Sequence, residues 1–229
     1  MDRKPFFSGV LLPSVLKTLI GIAIVGALIF LSAGTADFWQ AWTMLAALFI
    51  PMGASGVYYE LKVPGLIERR ELKDRNLTTV QTVYLTYVYI GEFALLLVPA
   101  LDRRFGWSDL PPALCIAGAI LLVLANIIWM ISKTENPYAG ASIKIYEGHT
   151  LITTGPYAII RHPNYFGDLL LIFGIPMALG SRVGLLVSIL IIPAMVCMIH
   201  DEENFLKKNL PGYEEYTKKT RRRLIPYIW

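Results

Sequence analysis

Residues 148–165 read GHTLITTGPYAIIRHPNY, a polar and turn-rich stretch that lies between two long apolar runs. An apolar run of about 20 residues is long enough to cross the hydrocarbon core of a bilayer as a helix. Polar backbone cannot face lipid without hydrogen-bond partners, so such a stretch must be covered by protein or line a water-filled cavity. The segment therefore predicts a polar site within an integral membrane protein.

The composition of the 229-residue chain also indicates a membrane protein, because 55% of its residues are hydrophobic, 17% are charged and the mean hydropathy is +0.53. We predict an all-α fold with four transmembrane helices near 13–34, 38–59, 80–101 and 111–132. Two shorter apolar runs, 165–180 and 183–200, follow on either side of Ser181-Arg182. They predict a C-terminal helical hairpin, or one long helix broken at that point, which gives five to six membrane segments in all.

The net charge of +4 is explained by its distribution along the chain. If the N-terminus faces the cytoplasm and the segments alternate, 17 of the 21 lysines and arginines lie on the cytoplasmic side. Lys17 lies at the edge of the first span, and only Arg103, Arg104 and Arg182 lie on the opposite side, as the positive-inside rule predicts. We therefore predict a multi-pass membrane protein whose N-terminus and polar loop are cytoplasmic, and nucleic acid is not an expected partner.

The chain is expected to have two parts that form one structural unit. Residues 1–135 are predicted to contain the transmembrane helices and a cytoplasmic amphipathic segment at 61–76. Residues 136–229 are predicted to contain the polar loop, the hairpin and a basic, aromatic tail that suits an interfacial helix. Cys115 and Cys197 both lie in apolar runs and are expected to be buried thiols, and no metal-binding spacing is present.

Ionisable residues flank the predicted hairpin at both ends. Arg161 and His162 precede Pro163, which suits the first turn of a helix, and the pair Glu202 and Glu203 follows at the far end. Both ends of a hairpin face the same side of the membrane, so these groups are expected to lie near each other. Tyrosines in the loop add aromatic faces, which together with carboxylates suit a positively charged onium ligand. A simpler alternative stays open, in which these residues only end helices and meet water.

Two polar residues lie inside the predicted spans. An ionised carboxylate is costly in hydrocarbon, so Glu92 is expected either to be protonated or to face a polar cavity between helices. A structural packing role for Glu92 is equally open. Asn126 is predicted to make an interhelical hydrogen bond.

The sequence GHTLITTGPYAIIRHPNYFG, followed by a helical hairpin, EENFL, LPGYEEY and RLIP, resembles the isoprenylcysteine carboxyl methyltransferases and their prokaryotic relatives. The resemblance covers about residues 136–229, whereas the upstream spans agree only in being apolar. Membrane phospholipid methyltransferases and some membrane sterol reductases look similar in the same part. The resemblance implies S-adenosylmethionine (SAM) as cofactor and a lipophilic methyl acceptor dissolved in the bilayer.

The resemblance also implies which residues hold the cofactor. Glu202 would close the site from the far end of the hairpin, and the rest of the pocket would be lined by His149, Thr150, Leu151, Ile152, Tyr157, His162, Pro163, Asn164 and Tyr165. Family members tend to carry an arginine one turn before the acidic pair, for the acceptor's carboxylate, and here that position is Met198. Arg161 is therefore the candidate cation for a carboxylate acceptor. Glu203 or His200 is the candidate base for an amine or thiol acceptor.

The predicted function is methyl transfer from SAM to a lipophilic acceptor, most like carboxyl O-methylation of a prenylated cysteine. Methylation of a phospholipid amine or a small thiol is one alternative. A membrane reductase that uses NADPH in a similar pocket is another. A non-enzymatic membrane accessory protein is the third, and Met198 keeps it open because this residue cannot bind a carboxylate.

Overall fold

The computed structural model describes residues 12–62, 79–138, 149–226 and 228–229. These ranges contain seven α-helices, a short 3-10 helix and no β-strand. The α-helices are α1 (Leu12–Ala33), α2 (Trp39–Lys62), α3 (Thr79–Phe105), α4 (Pro112–Glu135), α5 (Pro163–Ala178), α6 (Arg182–Asn209) and α7 (Tyr213–Lys219), and the 3-10 helix is Gly155–Ala158. Five of them, α1 to α4 and α6, are long and apolar enough to cross a membrane. The predicted all-α, multi-pass architecture is thus confirmed, while most of the segment predicted to be amphipathic at 61–76 lies outside the described residues.

Helices α5 and α6 form the hairpin, with residues 179–181 as its turn. Gly180 has a φ of +78°, in the left-handed region that glycine adopts without steric cost. Ser181 caps α6, since its hydroxyl oxygen accepts a hydrogen bond from Gly184 N at 2.8 Å. Ser188 and Ile172 lie equally far along the chain from the turn, and the Ser188 hydroxyl donates to the Ile172 carbonyl oxygen. The two helices therefore run antiparallel.

Helices α4 and α5 touch through their backbones. A Cβ atom added to Gly118 would lie 2.7 Å from the carbonyl carbon of Met177, and one added to Gly174 would lie 3.1 Å from the carbonyl oxygen of Gly118. Small residues allow this close approach, which drives helix association in membranes. The contact holds α5, and hence the polar loop that precedes it, against α4.

A buried carboxylate fixes the turn of the hairpin at the other end of the bundle. Asp102 of α3 is 1% exposed and accepts hydrogen bonds from Ser108 N at 2.6 Å, from the Ser108 hydroxyl and from the Ser181 hydroxyl. These donors satisfy the buried charge, as buried polar groups require. The hairpin is therefore attached to α4 along its length and to the α3–α4 connection at its turn.

Two expectations for residues within the spans have different outcomes. Asn126 donates to the carbonyl oxygen of Leu48 in α2 at 3.4 Å and to that of Leu122 at 2.9 Å, which confirms the interhelical hydrogen bond. Cys115 is buried as expected. The prediction was wrong for Cys197, which is exposed because it lies on the outer face of α6, where lipid would cover it in a membrane.

We expect Gly118→Ala to destabilise the protein, because its Cβ would meet backbone atoms of α5 that cannot move independently. Overpacking of this kind costs about 1–3 kcal/mol or more. Thermal unfolding of the detergent-solubilised protein measures the effect. Gly56→Ala is the matched control, since its nearest neighbour, Ser14 Oγ, would lie at an ordinary 3.7 Å. Equal unfolding temperatures for the two variants would contradict the backbone contact between α4 and α5.

Candidate functional site

A cavity of about 400 Å³ lies between the polar loop and helices α3 to α7. Its volume is within the range of small-molecule sites, about 300–1,000 Å³. Ten of the twelve residues proposed for the site line it: His149, Leu151, Ile152, Tyr157, Arg161, His162, Pro163, Asn164, Tyr165 and Glu202. Thr150 is exposed and does not line the cavity, and Glu203 is buried outside its lining.

The cavity has a polar end and an apolar end. Lys133, His149 and Glu202 line it near the loop, where α4 ends and α5 begins. Leu171 and Met195, which lie further along α5 and α6 from the loop, line the part that extends into the apolar bundle. One cavity can therefore hold a polar molecule and an apolar molecule side by side.

The loop is held in place by hydrogen bonds to the elements around it. Trp129 Nε1 of α4 donates to the Asn164 carbonyl oxygen at 3.2 Å, and the Tyr216 hydroxyl of α7 donates to the Tyr157 carbonyl oxygen at 2.7 Å. The Thr154 hydroxyl donates to the Glu135 carboxylate at the end of α4. The 3-10 helix and the start of α5 are thus fixed from two sides.

Glu203 lies at the centre of a buried ionic cluster. Its Oε1 accepts from Arg161 Nε at 2.6 Å and lies 3.2 Å from His162 Nε2, and its Oε2 accepts from Arg223 Nε at 3.0 Å. Arg161 also donates through Nη1 to the Thr220 carbonyl oxygen at 2.6 Å. A buried charge is tolerated only where such partners compensate its desolvation. The cluster excludes the simpler reading of these residues as helix ends in water, because Arg161, His162 and Glu203 are all buried.

The tail that follows α7 is bound to the same part of the loop. The Arg161 amide donates to the Arg222 carbonyl oxygen, and the His162 amide donates to the Arg223 carbonyl oxygen, both at 2.9 Å. The Arg223 guanidinium lies over the Trp229 ring, 5.5 Å from its centroid. The predicted interfacial helix is present as α7, and the tail beyond it packs behind the loop rather than extending away from it.

Several polar and aromatic groups line the polar end of the cavity. The Glu202 side chain is 28% exposed, and its Oε2 lies 3.9 Å from His162 Nδ1. The rings of Tyr138 and His149 stack with centroids 4.2 Å apart. Asn164 Oδ1 is buried and has no hydrogen-bond partner among the described residues, which is an arrangement that a ligand donor would satisfy.

Two tyrosines of α7 are kept in their neutral form. Burial raises the pKa of the Tyr213 and Tyr216 hydroxyls well above the usual range, and the nearby carboxylates of Glu203 and Glu202 add to the shift of the Tyr213 pKa. Tyr213 lines the cavity. Its hydroxyl therefore remains a neutral hydrogen-bond donor at ordinary pH.

The sequence reasoning missed Asp168, Lys133 and Trp129 as site residues, whereas Glu92 faces a polar cavity, as one of its two expectations stated. All four line the cavity, and Trp129 Nε1 donates to Asp168 Oδ1 at 2.9 Å. The available signal was the position of Asp168, which is a carboxylate inside an apolar run directly after RHPNYFG. A charged residue in a membrane segment suggests function by itself.

Other proposed residues lie away from the cavity lining. Met198 is buried but does not line the cavity. His200 is exposed, and its Nδ1 lies 2.8 Å from the Val196 carbonyl oxygen. Neither Glu203 nor His200, the two candidate bases, is therefore placed at the cavity surface. Within the described ranges, no group of three or more His, Cys, Asp or Glu side chains could hold a metal ion.

Comparison with known proteins finds similarity in the segment that contains α4, the polar loop and the hairpin. Residues 113–211, less than half of the chain, match the model of the phospholipid methyltransferase family, PEMT. The cobalt-zinc-cadmium resistance protein CzcN of Cupriavidus metallidurans is 35% identical over 102 residues, which are 44% of this chain and 47% of that protein.

Two sterol reductases are also similar. The delta(14)-sterol reductase TM7SF2 of Mus musculus is 32% identical over 94 residues, 38% of this chain and 22% of that protein. The delta(14)-sterol reductase of Methylotuvimicrobium alcaliphilum is 32% identical over 93 residues, 38% and 21% of the two chains. The chain thus spans less than half the length of these three relatives. The segment that matches the phospholipid methyltransferase model contains α4, the polar loop, and the hairpin, which supply most of the cavity wall.

Proposed function

We propose that this protein is a membrane methyltransferase that moves a methyl group from SAM to a lipophilic acceptor. The observation that carries the proposal is a cavity that has a polar end at the loop and an apolar end in the bundle. The segment that builds most of this cavity is also the segment that matches the phospholipid methyltransferase model.

The polar end suits the functional groups of SAM. Glu202 can hold the ammonium group of the cofactor, and Asn164 Oδ1, which has no partner within the described ranges, can accept a hydrogen bond from a bound ligand. The stacked rings of Tyr138 and His149 offer aromatic faces, which suit a planar base or a sulfonium cation. When bound, SAM supplies a methyl group on a positively charged sulfur, and methyl transfer leaves a neutral thioether.

The contribution of the chain to such a reaction is positioning. Holding two reactants in the correct geometry can provide much of the acceleration of a displacement. The cluster around Glu203 holds Arg161 and His162 from behind, and the tail fixes their backbone. This support keeps the loop rigid, so we assign Glu203 to positioning rather than to proton transfer.

The apolar end gives a lipid-soluble acceptor a place and a route. Tyr89 of α3 lines the cavity, yet 62% of its surface is exposed. Leu171, Ile172 and Met195 continue the lining into the bundle. An acceptor that enters between helices from the bilayer would meet the donor at the junction of the two ends.

The charges of the lining favour an amine acceptor over the prenylcysteine carboxylate that the resemblance implied. The Arg161 guanidinium is already bound to Glu203 and to the Thr220 carbonyl oxygen, and Met198 does not line the cavity. Among the described lining residues, Lys133 is the other lysine or arginine and interacts with Asp168, and Glu92 adds a further carboxyl group. A cationic acceptor complements such a lining, whereas a carboxylate would meet like charges. A phospholipid amine is therefore the acceptor that the lining supports best.

Reduction by NADPH is the second candidate, because two relatives are named as sterol reductases. Isothermal titration of the purified protein with SAM and with NADPH separates the two functions. We expect SAM to bind and NADPH not to bind. NADPH binding without SAM binding would replace the methyltransferase proposal with the reductase, and binding of neither would leave the accessory-protein alternative.

We expect Glu202→Gln and His162→Ala to weaken SAM binding about tenfold or more. A hydrogen bond to a charged group contributes about 1.5–3 kcal/mol, and each 1.4 kcal/mol corresponds to a factor of ten. Titration calorimetry gives the dissociation constants. Asp201→Asn is the control, because this neighbour of Glu202 does not line the cavity. Unchanged binding in Glu202→Gln would remove Glu202 from the cofactor site.

We expect Glu203→Ala to destabilise the protein and to lose SAM binding at the same time. The change leaves Arg161 buried without its counter-charge, which costs about 3–5 kcal/mol. Thermal unfolding and SAM titration are measured together. In the control, Glu214→Ala removes an exposed carboxylate 4.0 Å from Lys218 and should change stability by less than about 1 kcal/mol. A stable Glu203→Ala protein that binds SAM but transfers no methyl group would show instead that Glu203 is catalytic.

A further inference from the structure

Asp168 lies where the two ends of the cavity meet, on the second turn of α5. Groups on two other helices face it: Trp129 and Lys133 of α4, and Glu92 and Tyr84 of α3. Tyr165, one turn earlier on α5, interacts with it as well. The carboxylate is therefore enclosed by the bundle while it remains part of the cavity surface.

Within the described part of the chain, an indole N–H holds the Asp168 carboxyl group in position. Trp129 Nε1 donates to Oδ1 at 2.9 Å, and the same N–H lies 3.2 Å from the Asn164 carbonyl oxygen. The Lys133 ammonium lies 5.0 Å from the centroid of the Trp129 ring. One indole therefore couples the position of Asp168 to the position of the loop. A base oriented by a neighbouring donor is the usual arrangement in nucleophile activation.

We propose that Asp168 binds the methyl acceptor and takes up its proton. The inference rests on the proposed methyltransferase function and deepens it, because it assigns the base that an amine acceptor requires. An amine of the lipid-soluble acceptor arrives as an ammonium group, which Glu92 and Asp168 attract. No base would be needed for a carboxylate acceptor, which is already ionised near neutral pH.

The step balances without any further reactant. One N–H bond of the ammonium breaks, and its proton passes to the Asp168 carboxylate. The nitrogen lone pair released in this way forms the new C–N bond with the methyl carbon. The methyl–sulfur bond breaks, and its electron pair remains on the sulfur of the donor. The protonated Asp168 then returns its proton to water when the product leaves.

Asp168 is better placed to act as the base for the acceptor than the candidates that the sequence suggested. Glu203 does not line the cavity and is paired with two arginines. His200 is exposed and does not line the cavity either. Glu202 lies at the loop end beside His162, where the cofactor's polar groups are expected. A general base must reach the proton it removes.

The test compares the wild type with Asp168→Asn, which keeps an oxygen for the Trp129 hydrogen bond but cannot accept a proton. SAM binding is measured by titration, and so is binding of decyltrimethylammonium, a cation that cannot be methylated. Transfer of labelled methyl groups to phosphatidylethanolamine vesicles is measured from pH 7 to about pH 10. We expect an unchanged SAM dissociation constant, about tenfold weaker binding of the ammonium probe, and about 100-fold slower transfer.

The pH series separates proton transfer from a structural role. The deficit of Asp168→Asn should shrink towards about pH 10, where a free amine loses its proton without help. Asp168→Glu should recover part of the rate, and Asp37→Asn, an exposed carboxylate outside the cavity, should behave as wild type.

The other possible outcomes would contradict either the role of Asp168 or the methyltransferase function. Undiminished transfer or probe binding in Asp168→Asn, or a deficit that is constant with pH, would overturn the role of Asp168 alone. A parallel loss of SAM binding would do the same, because it would indicate damage to the cofactor site. A wild-type protein that binds no SAM would overturn the methyltransferase function itself and the inference with it.

Discussion

The buried carboxylate of Glu203 is the interaction on which the polar end of the cavity depends. It joins three parts of the chain that are distant in sequence: the loop through Arg161 and His162, the end of α6, and the tail through Arg223. Removing a charge from water is expensive, so the partners of Glu203 must stay in place for the folded state to be stable. The loop owes its fixed shape to this requirement.

The membrane imposes the second constraint. A loop with many polar backbone groups can lie at membrane depth only where protein covers it. Here α4 lies on one side of it, and α7 and the tail lie on the other, with Trp129 and Tyr216 supplying hydrogen bonds. The tail is therefore part of the site, although its basic composition by itself suggested only contact with the membrane surface.

The charge distribution inside the cavity follows from the same packing. Because Arg161 is bound to Glu203 and to the Thr220 carbonyl oxygen, two of its N–H donors are already occupied. The carboxylates Glu92 and Asp168 come from opposite walls, α3 and α5, and Lys133 partly offsets them. The polar end and the apolar end of the cavity thus differ because of how the helices and the loop pack, and the proposed chemistry uses that difference.

The membrane class, the helix positions and the part of the cavity lining that comes from the polar loop could be predicted, because hydropathy and a dense local motif are properties of neighbouring residues. The predicted spans and the hairpin correspond to the observed helices, and ten of the twelve proposed site residues line one cavity. Thr150 was grouped with them through its position in the motif, and Glu203 through its place in the acidic pair at the far end of the hairpin. Their different directions, one towards solvent and one towards Arg161, depend on contacts that the motif does not contain.

The amino-acid sequence by itself determined that this chain crosses a membrane and that residues 148–165 form a polar site at the start of a hairpin. Only the tertiary structure decided which ionisable groups face the cavity and which balance one another behind it. It paired Arg161 with Glu203 and brought Asp168 to Trp129 on a different helix. The physical reason is that the environment of a charge depends on how the helices pack. Hydropathy along the chain does not show which helix faces pack against each other.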